Sequence, residues 1–498
     1  MSKIHQISES TEKQFEVELF EKKDYKNPNP TQNKSQLANS SFLVRNKIAQ
    51  LLESSTSHGL PNIVRSSRPS IKILWAICFV ASVSVCSYMV FLSVSQYLEY
   101  GVVTKSELLA ETKSTFPTVS ICDLDPLPST YAQSFVLATI AAITQEQKLL
   151  NAKTDQITDL MLENKIALFK ASIKDTGQDI GDESRQKLGF SLSESIKLCL
   201  FNQIRCSISD FVWYFDPTLG NCYRFNADSA SLRESNKPGP QYGLTLIVLK
   251  SSTENQYSFI LSEGLRVFVH NSTEKPQTSN GIDVQASKLT NIGVLRSFTS
   301  KQAYPYSECV DLSGFSSEFY AAIVNANVTY RQQDCFDLCL QKNIITYCGC
   351  YDPSYMKLYN STACLTYAKN MCVNDQYTLF RNHSISDECL SECPLECDTV
   401  AYDFTVSSSN FPTTNLYNLV KKGLGNMTYE QLKEKAIGIN VYYSSLSYTS
   451  LSESPQTSVI DLFSNIGGTL GLYIGISFLS LVEIVEIVLE CIFIAFNL

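Results

Sequence analysis

The chain is short of histidine, with four in 498 residues, and short of positive charge, with 40 Lys and Arg against 49 Asp and Glu. The formal net charge of -9 excludes the basic footprint that nucleic acid as a partner would need. Scarce histidine also argues against a metal centre: zinc at Cys348-Gly349-Cys350 is the rival to disulfides, and it would need ligands that the sequence does not space for it. There is no metalloprotease helix, no Gly-x-Ser-x-Gly elbow and no phosphate-cradling loop, so no enzyme is expected. No apolar run follows Met1, so no cleavable leader is expected either. Residues 1–70 are polar and lysine-rich and read as a largely disordered cytoplasmic region.

Cysteine is abundant, with 17 residues, and its placement is informative. Cys78, Cys86 and Cys491 fall inside apolar runs, whereas the other fourteen, Cys122 to Cys397, lie between those runs. An even set in one compartment points to seven disulfides in an oxidising environment. The first apolar run, 71–98, follows Arg65, Arg68 and Lys72, which places the N-terminus inside the cell. The second, 459–496, returns the chain to the cytoplasm at 497–498 and leaves 99–458 outside. Topology and cysteine usage thus agree on an extracellular middle without sharing a premise. Within it, 131–175 reads as helix, and 243–249 and 264–270 read as strands. Residues 407–412 and 440–458 read as strands returning to the membrane, and helices stapled by bridges are expected over 309–397. Five external sequons, Asn271, Asn327, Asn360, Asn382 and Asn426, are candidate glycosylation sites.

The second run carries the chemistry. Gly467, Gly471 and Gly475 recur every fourth residue and bare one helix face for close packing. Glu483, Glu486 and Glu490 form a second stripe, and carboxylates at membrane depth face a bundle interior or a water path. Several such helices around an axis would make a pore. Gly475-Ile476-Ser477 is the candidate narrow point, where freed carbonyls or the Ser477 hydroxyl replace an ion's hydration shell. The competing readings are a dimerising anchor, a non-conducting surface receptor, and a two-span trimeric channel of the ATP-gated type. The last would need a compact lysine cluster outside the membrane, and none is evident.

Several segments together resemble the degenerin, epithelial sodium channel and acid-sensing ion channel superfamily, in an invertebrate-like member. They are His58-Gly59, Phe116-Pro117-Thr118-Val119-Ser120-Ile121-Cys122, Gly220-Asn221-Cys222-Tyr223-Arg224-Phe225-Asn226, the cysteines at 335, 339, 348 and 350, Cys393-Pro-x-x-Cys397, and Gly475-Ile476-Ser477 with Ser480 to Glu483. The resemblance implies an α+β membrane protein with two transmembrane helices per subunit. It also implies a disulfide-rich extracellular domain of palm, finger, thumb, knuckle and β-ball, assembled as a trimer of itself or related subunits in the plasma membrane. The implied function is a voltage-insensitive, amiloride-sensitive channel that conducts sodium passively. No cofactor is expected beyond the permeant sodium ion, and the gate answers to an extracellular peptide, proton or other ligand, or stands open.

Residue by residue, the resemblance pairs Cys122 with Cys222, Cys199 with Cys206, Cys309 with Cys397, Cys335 with Cys393, Cys339 with Cys389, Cys348 with Cys372, and Cys350 with Cys364. It makes Gly475, Ile476 and Ser477 the selectivity filter, Glu483 and Glu486 the pore acids, Ser464 the gate position where bulky side chains hold the pore open, and Gly471 a contributor to amiloride block. His58 and Gly59 match a pair that affects open probability, and Tyr306 an aromatic that couples thumb to membrane, with Tyr100 as its first-span partner. Three departures bear on physiology. Val102 stands where proton-gated members carry histidine, Ile476 replaces a small filter residue, and either the proline-rich C-terminal tail of epithelial members is missing or the chain is truncated before it.

Overall fold

A computed structural model describes residues 59–150, 156–174, 180–250, 255–258, 260–276, 280–382 and 386–495. They divide into two compact units, one formed by the described residues up to Tyr100 and from Thr457 onward, the other by Gly101–Gln456. His58 lies outside the described residues. The first unit begins with a short helix α1, Leu60–Arg65, and then α2, Pro69–Leu98. α1 begins directly after Gly59. Gly59 caps it at a φ of 102°, and Pro61 sits in its first turn, where a missing N–H costs nothing. The 30 residues of α2 span about 45 Å at 1.5 Å per residue, more than a bilayer core. It is long and apolar enough to cross a membrane and almost wholly unburied in the chain.

The second unit mixes helices and sheets. Its strands are β1 (Val102–Leu109), β2 (Thr118–Asp123), β3 (Ile196–Phe201), β4 (Phe211–Asp216), β5 (Gly220–Phe225), β6 (Leu244–Leu249), β7 (Leu265–His270), β8 (Ile282–Val284), β9 (Lys288–Ser300), β10 (Asp398–Asn410), β11 (Ala436–Tyr443) and β12 (Tyr448–Pro455), with a few two-residue strands besides. The larger sheet runs β1-β12-β9-β11-β6-β3, with β10 also on β9. The smaller runs β8-β7-β2-β5-β4. The alternation in β6, inward at every second residue, is that of a strand with one buried face. β2 is buried at all six positions. The two sheets share one core around Phe116, whose ring meets those of Phe201, Phe225 and Tyr443 edge-on at centroid distances of 5.0, 6.4 and 5.9 Å.

The longer helices are α3 (Thr130–Leu150), α4 (Gln156–Ser172), α5 (Gln332–Cys348) and α6 (Tyr367–Arg381), with several of eight residues or fewer besides. Within the stretch read as helix over 131–175, the described residues 131–150 and 156–172 are helical. Fourteen cysteines form seven disulfides: Cys122–Cys222, Cys199–Cys206, Cys309–Cys397, Cys335–Cys393, Cys339–Cys389, Cys348–Cys372 and Cys350–Cys364. Gly349 explains the Cys-Gly-Cys spacing. It ends α5 in the left-handed region, φ 66°, so Cys348 stays on the helix and Cys350 turns away toward Cys364.

Back in the first unit, the second apolar run was expected to be one helix over 459–496. It is two, α7 (Val459–Tyr473) and α8 (Phe478–Ala495), parted at 474–477. Gly475 causes the break: its φ of 72° is incompatible with a continuing right-handed helix.

Candidate pore segment

α7 starts from a reciprocal cap. Ser458 Oγ accepts from the Asp461 amide at 3.1 Å, and Asp461 Oδ2 accepts from the Ser458 amide at 3.0 Å and its hydroxyl at 2.6 Å. Such caps fix where a helix begins, and so fix the register of everything after it. Ser464, Gly467 and Gly471 follow on α7. Ser464 is exposed in the single chain, and a Cβ built at Gly467 or Gly468 meets nothing within 4 Å. α7 packs along α2, where buried Cys86 brings its Sγ to 4.0 Å from the Thr469 carbonyl. α1 folds against the same helix: a Cβ at Gly59 would lie 3.1 Å from the Phe79 ring, so the side-chain-free residue allows the close approach.

Beyond Tyr473 the backbone doubles back. The Leu470 carbonyl accepts from both Ile474 at 3.0 Å and Ile476 at 3.3 Å, and the Gly471 carbonyl accepts from Gly475 at 3.1 Å. The Ile476 carbonyl comes within 3.9 Å of the place a Cβ would occupy at Gly471. Among the described residues the Gly475 and Ile476 carbonyls accept no backbone hydrogen bond. Unpaired carbonyls at membrane depth belong only where they line a cavity or meet an ion. The chain then restarts as a helix through a second reciprocal pair. Ser480 Oγ accepts from the Ser477 amide at 3.1 Å, and Ser477 Oγ accepts from the Ser480 amide at 3.4 Å. Ser480 is 3% exposed. Glu483 and Glu486 lie three residues apart on α8, on one stripe, Glu486 exposed and Glu483 half-buried.

The stretch thus brings together Gly471, Gly475, Ile476 and Ser477, and sets Ser464 and the two acids on the helices either side. One expectation changes: Gly475 leaves the helix, so the bare face is built from Gly467 and Gly471 alone. Tyr100, with φ 49°, ends the first unit beside Tyr97, ring centroids 6.1 Å apart. Tyr306 belongs to the second unit, half-buried. Asn327, Asn360, Asn382 and Asn426 are exposed and Asn271 half-buried.

The motif at Gly220–Asn226 does structural work. A side chain at Gly220, φ 69°, would strike the Pro126 carbonyl. Asn221 donates to the carbonyls of Gln186 at 2.8 Å and Phe190 at 3.2 Å and accepts from the Trp213 indole at 3.1 Å. Asn226 donates to the Phe116 carbonyl at 2.5 Å and accepts from the Arg233 amide at 2.7 Å.

Sequence reasoning missed the polar joints of the second unit. Arg296, on β9, bonds Glu111 Oε2 and Ser114 Oγ, each at 2.6 Å, and its guanidinium lies over the Tyr443 and Tyr448 rings. Lys250 Nζ lies 3.0 Å from Asp123, whose carboxyl burial raises to about 6 despite that partner. Glu146 of α3 accepts from the Tyr367 amide at 2.9 Å and the Ala368 amide at 3.1 Å, so a carboxylate from one helix closes the N-terminus of α6. Partners 221 residues apart leave no local pattern to read.

A model of the amiloride-sensitive sodium channel family matches residues 51–487. The FMRFamide-activated amiloride-sensitive sodium channel of Cornu aspersum is 25% identical, with 90% of this chain and 84% of the relative aligned. The degenerin-like protein asic-2 of Caenorhabditis elegans is 26% identical over 87% of this chain and 84% of the relative. An epithelial sodium channel gamma-2 subunit of Xenopus laevis is 29% identical over 62% of this chain and 47% of the relative. With most of its length matched, the chain belongs to the amiloride-sensitive sodium channel family, among the degenerins and epithelial sodium channels.

Proposed function

We propose that three copies of this chain, or of it and related subunits, form a voltage-insensitive, amiloride-blocked channel that passes sodium down its gradient across the plasma membrane. The observation that carries the reading is the interruption of the second apolar run at Gly475–Ser477, where carbonyls without backbone partners stand between two helices. Residues 71–98 and 459–496 are the two spans, the termini are cytoplasmic, and 99–458 is the extracellular domain. Sodium sheds water at Gly475, Ile476 and Ser477 and leaves past Glu483 and Glu486, whose field concentrates cations. Ser464 is the gate position, Gly471 a contributor to amiloride block, and His58 with Gly59 sets open probability. The membrane potential supplies about 2.3 kcal/mol per charge per 100 mV, so no enzymatic step is required. The relative named for FMRFamide activation favours an extracellular peptide as the opening stimulus.

The test is whole-cell current from the chain expressed alone, first in sodium, then with sodium replaced by potassium and by a large organic cation, with amiloride last. A sodium-preferring current blocked by amiloride supports the reading. A current that ignores amiloride and passes the large cation equally refutes the filter assignment.

A further inference from the structure

Between β10 and β11 the chain leaves the larger sheet and runs through two short helices, Thr414–Val420 and Tyr429–Lys435, with a tight turn at Lys421–Gly423 after the first. The first helix and the turn have no buried residue, and every residue from Asn418 to Gly423 is exposed. Leu419 is 81% exposed. Buried apolar contacts are what resist local opening, and this stretch has none to lose. The turn is held by backbone bonds: the Leu424 amide donates to the Lys421 carbonyl at 3.2 Å, and the Met427 amide to the Leu424 carbonyl at 3.4 Å.

Lys421 and Lys422 stand together at this exposed point, with Gly423 after them. Among the described residues neither lysine is paired with a carboxylate. Exposed loop tips are the preferred places for proteolytic nicking. A trypsin-like protease selects the bond by the cation before it, which its specificity pocket takes up. Lys422 supplies that cation, and the glycine that follows offers no steric bar.

The flanks of the turn are held firmly. The Tyr417 and Tyr429 rings pack edge to face, centroids 5.7 Å apart. The Tyr417 hydroxyl donates to the Met427 carbonyl at 3.0 Å, and the Tyr429 hydroxyl to the Pro412 carbonyl at 3.1 Å. Leu432 is buried, and β11 is buried at seven of its eight positions. A chain cut in the turn therefore keeps both new ends anchored in the fold.

Three residues beyond Gly423 comes Asn426, exposed, at the head of the sequon Asn426-Met427-Thr428. Thr428 Oγ1 accepts from the Gln431 amide at 3.3 Å and caps the second helix, which fixes where the sequon sits. Three residues span at most about 11 Å. A glycan is bulky and hydrated, so one on Asn426 stands beside the bond that a protease must grip.

We propose that the Lys422–Gly423 bond is a cleavage site for an extracellular trypsin-like protease, and that a glycan on Asn426 shields it. Water is the co-reactant: its hydroxyl goes to the Lys422 carbonyl carbon and its proton to the Gly423 nitrogen as the C–N bond breaks. The inference rests on the extracellular placement of 99–458.

The experiment uses the full-length chain, purified in detergent from secretory eukaryotic cells, with and without native treatment by peptide N-glycosidase F. Trypsin is then added, and new N-termini are followed over time by mass spectrometry. The expected result is an N-terminus at Gly423 that forms several-fold faster once glycan is removed. Asn426→Gln is expected to reach the faster rate without the glycosidase, and Lys421→Gln combined with Lys422→Gln to lose the cut. Size-exclusion elution of the nicked chain is expected to match that of the intact one. No cut at Gly423 in the deglycosylated chain, or one rate with and without the Asn426 glycan, overturns the proposal. The mass lost on glycosidase treatment reports the placement of 99–458 separately: glycan at other sequons with none on Asn426 overturns the shield alone, and no glycan at any sequon overturns both.

Discussion

Replacing Glu146 by alanine removes the cap that α3 supplies to α6. The two amides it binds, of Tyr367 and Ala368, are the first two of the helix, which has no intrahelical acceptor for them. Thr366 remains as the local cap, its Oγ1 accepting from the Lys369 amide at 3.3 Å, so the helix is weakened and not abolished. Capping substitutions cost about 0.5–2 kcal/mol, and hydrogen bonds to a charged acceptor about 1.5–3 kcal/mol each, part of which water restores. A net loss of about 2 kcal/mol for the first turn follows, which is about a 30-fold fall in protection. Hydrogen exchange of the full-length chain, read on peptides covering 366–375, measures it directly. Glu146→Gln keeps an acceptor oxygen and loses the charge, and is expected to fall between wild type and alanine. Thr366→Ala provides the scale of a local cap. Unchanged exchange in Glu146→Ala, with the Thr366 variant responding, would refute the cap between helices.

Three further outcomes are expected. His270 is held neutral by burial, its value lowered from 6.5 to about 4. Nδ1 donates to the Asn271 carbonyl at 2.7 Å, so Nε2 is the acceptor for the Ser120 hydroxyl at 2.8 Å. Its contribution is therefore fully present above pH 6.5 and is lost as pH falls through 4, by about 3 kcal/mol. Thermal melts of His270→Gln across that window should show a flatter acid limb, and an identical slope would remove this group from the account. Glu483→Gln is expected to lower single-channel conductance or cation selectivity, and unaltered current would exclude it from the ion path. Ser464→Trp is expected to raise standing current by wedging the helices apart, and silence from a channel shown at the surface would count against the gate position.

What the sequence made legible follows from how far apart the partners are. Strands at 244–249 and 265–270 announce themselves by local alternation and branching. Even the number of disulfides was readable, because fourteen cysteines share one interval. Their pairing was not readable from the residues alone, since connectivity is a matter of tertiary distance. The break at Gly475 was half legible: glycine spacing marked the face, but every fourth residue also suits an unbroken helix. Only the backbone path separates Gly475, outside the helix, from Gly471, within it.

One ribbon carries a further consequence. β1 and β12 pair antiparallel over eight residues, from Val102 with Pro455 to Leu109 with Tyr448, and the Gln456 amide continues the ladder to the Gly101 carbonyl at 2.8 Å. These two strands are also the covalent links by which the second unit is joined to the rest of the chain. Extended backbone has almost no slack, at about 3.3 Å per residue. A tug on β12 therefore reaches Gly101 and Gln456 at once, and sliding one past the other would break the whole ladder together. The wiring is a tape with two conductors bonded along their length. The two connections that leave the second unit are thus held side by side by one hydrogen-bond ladder.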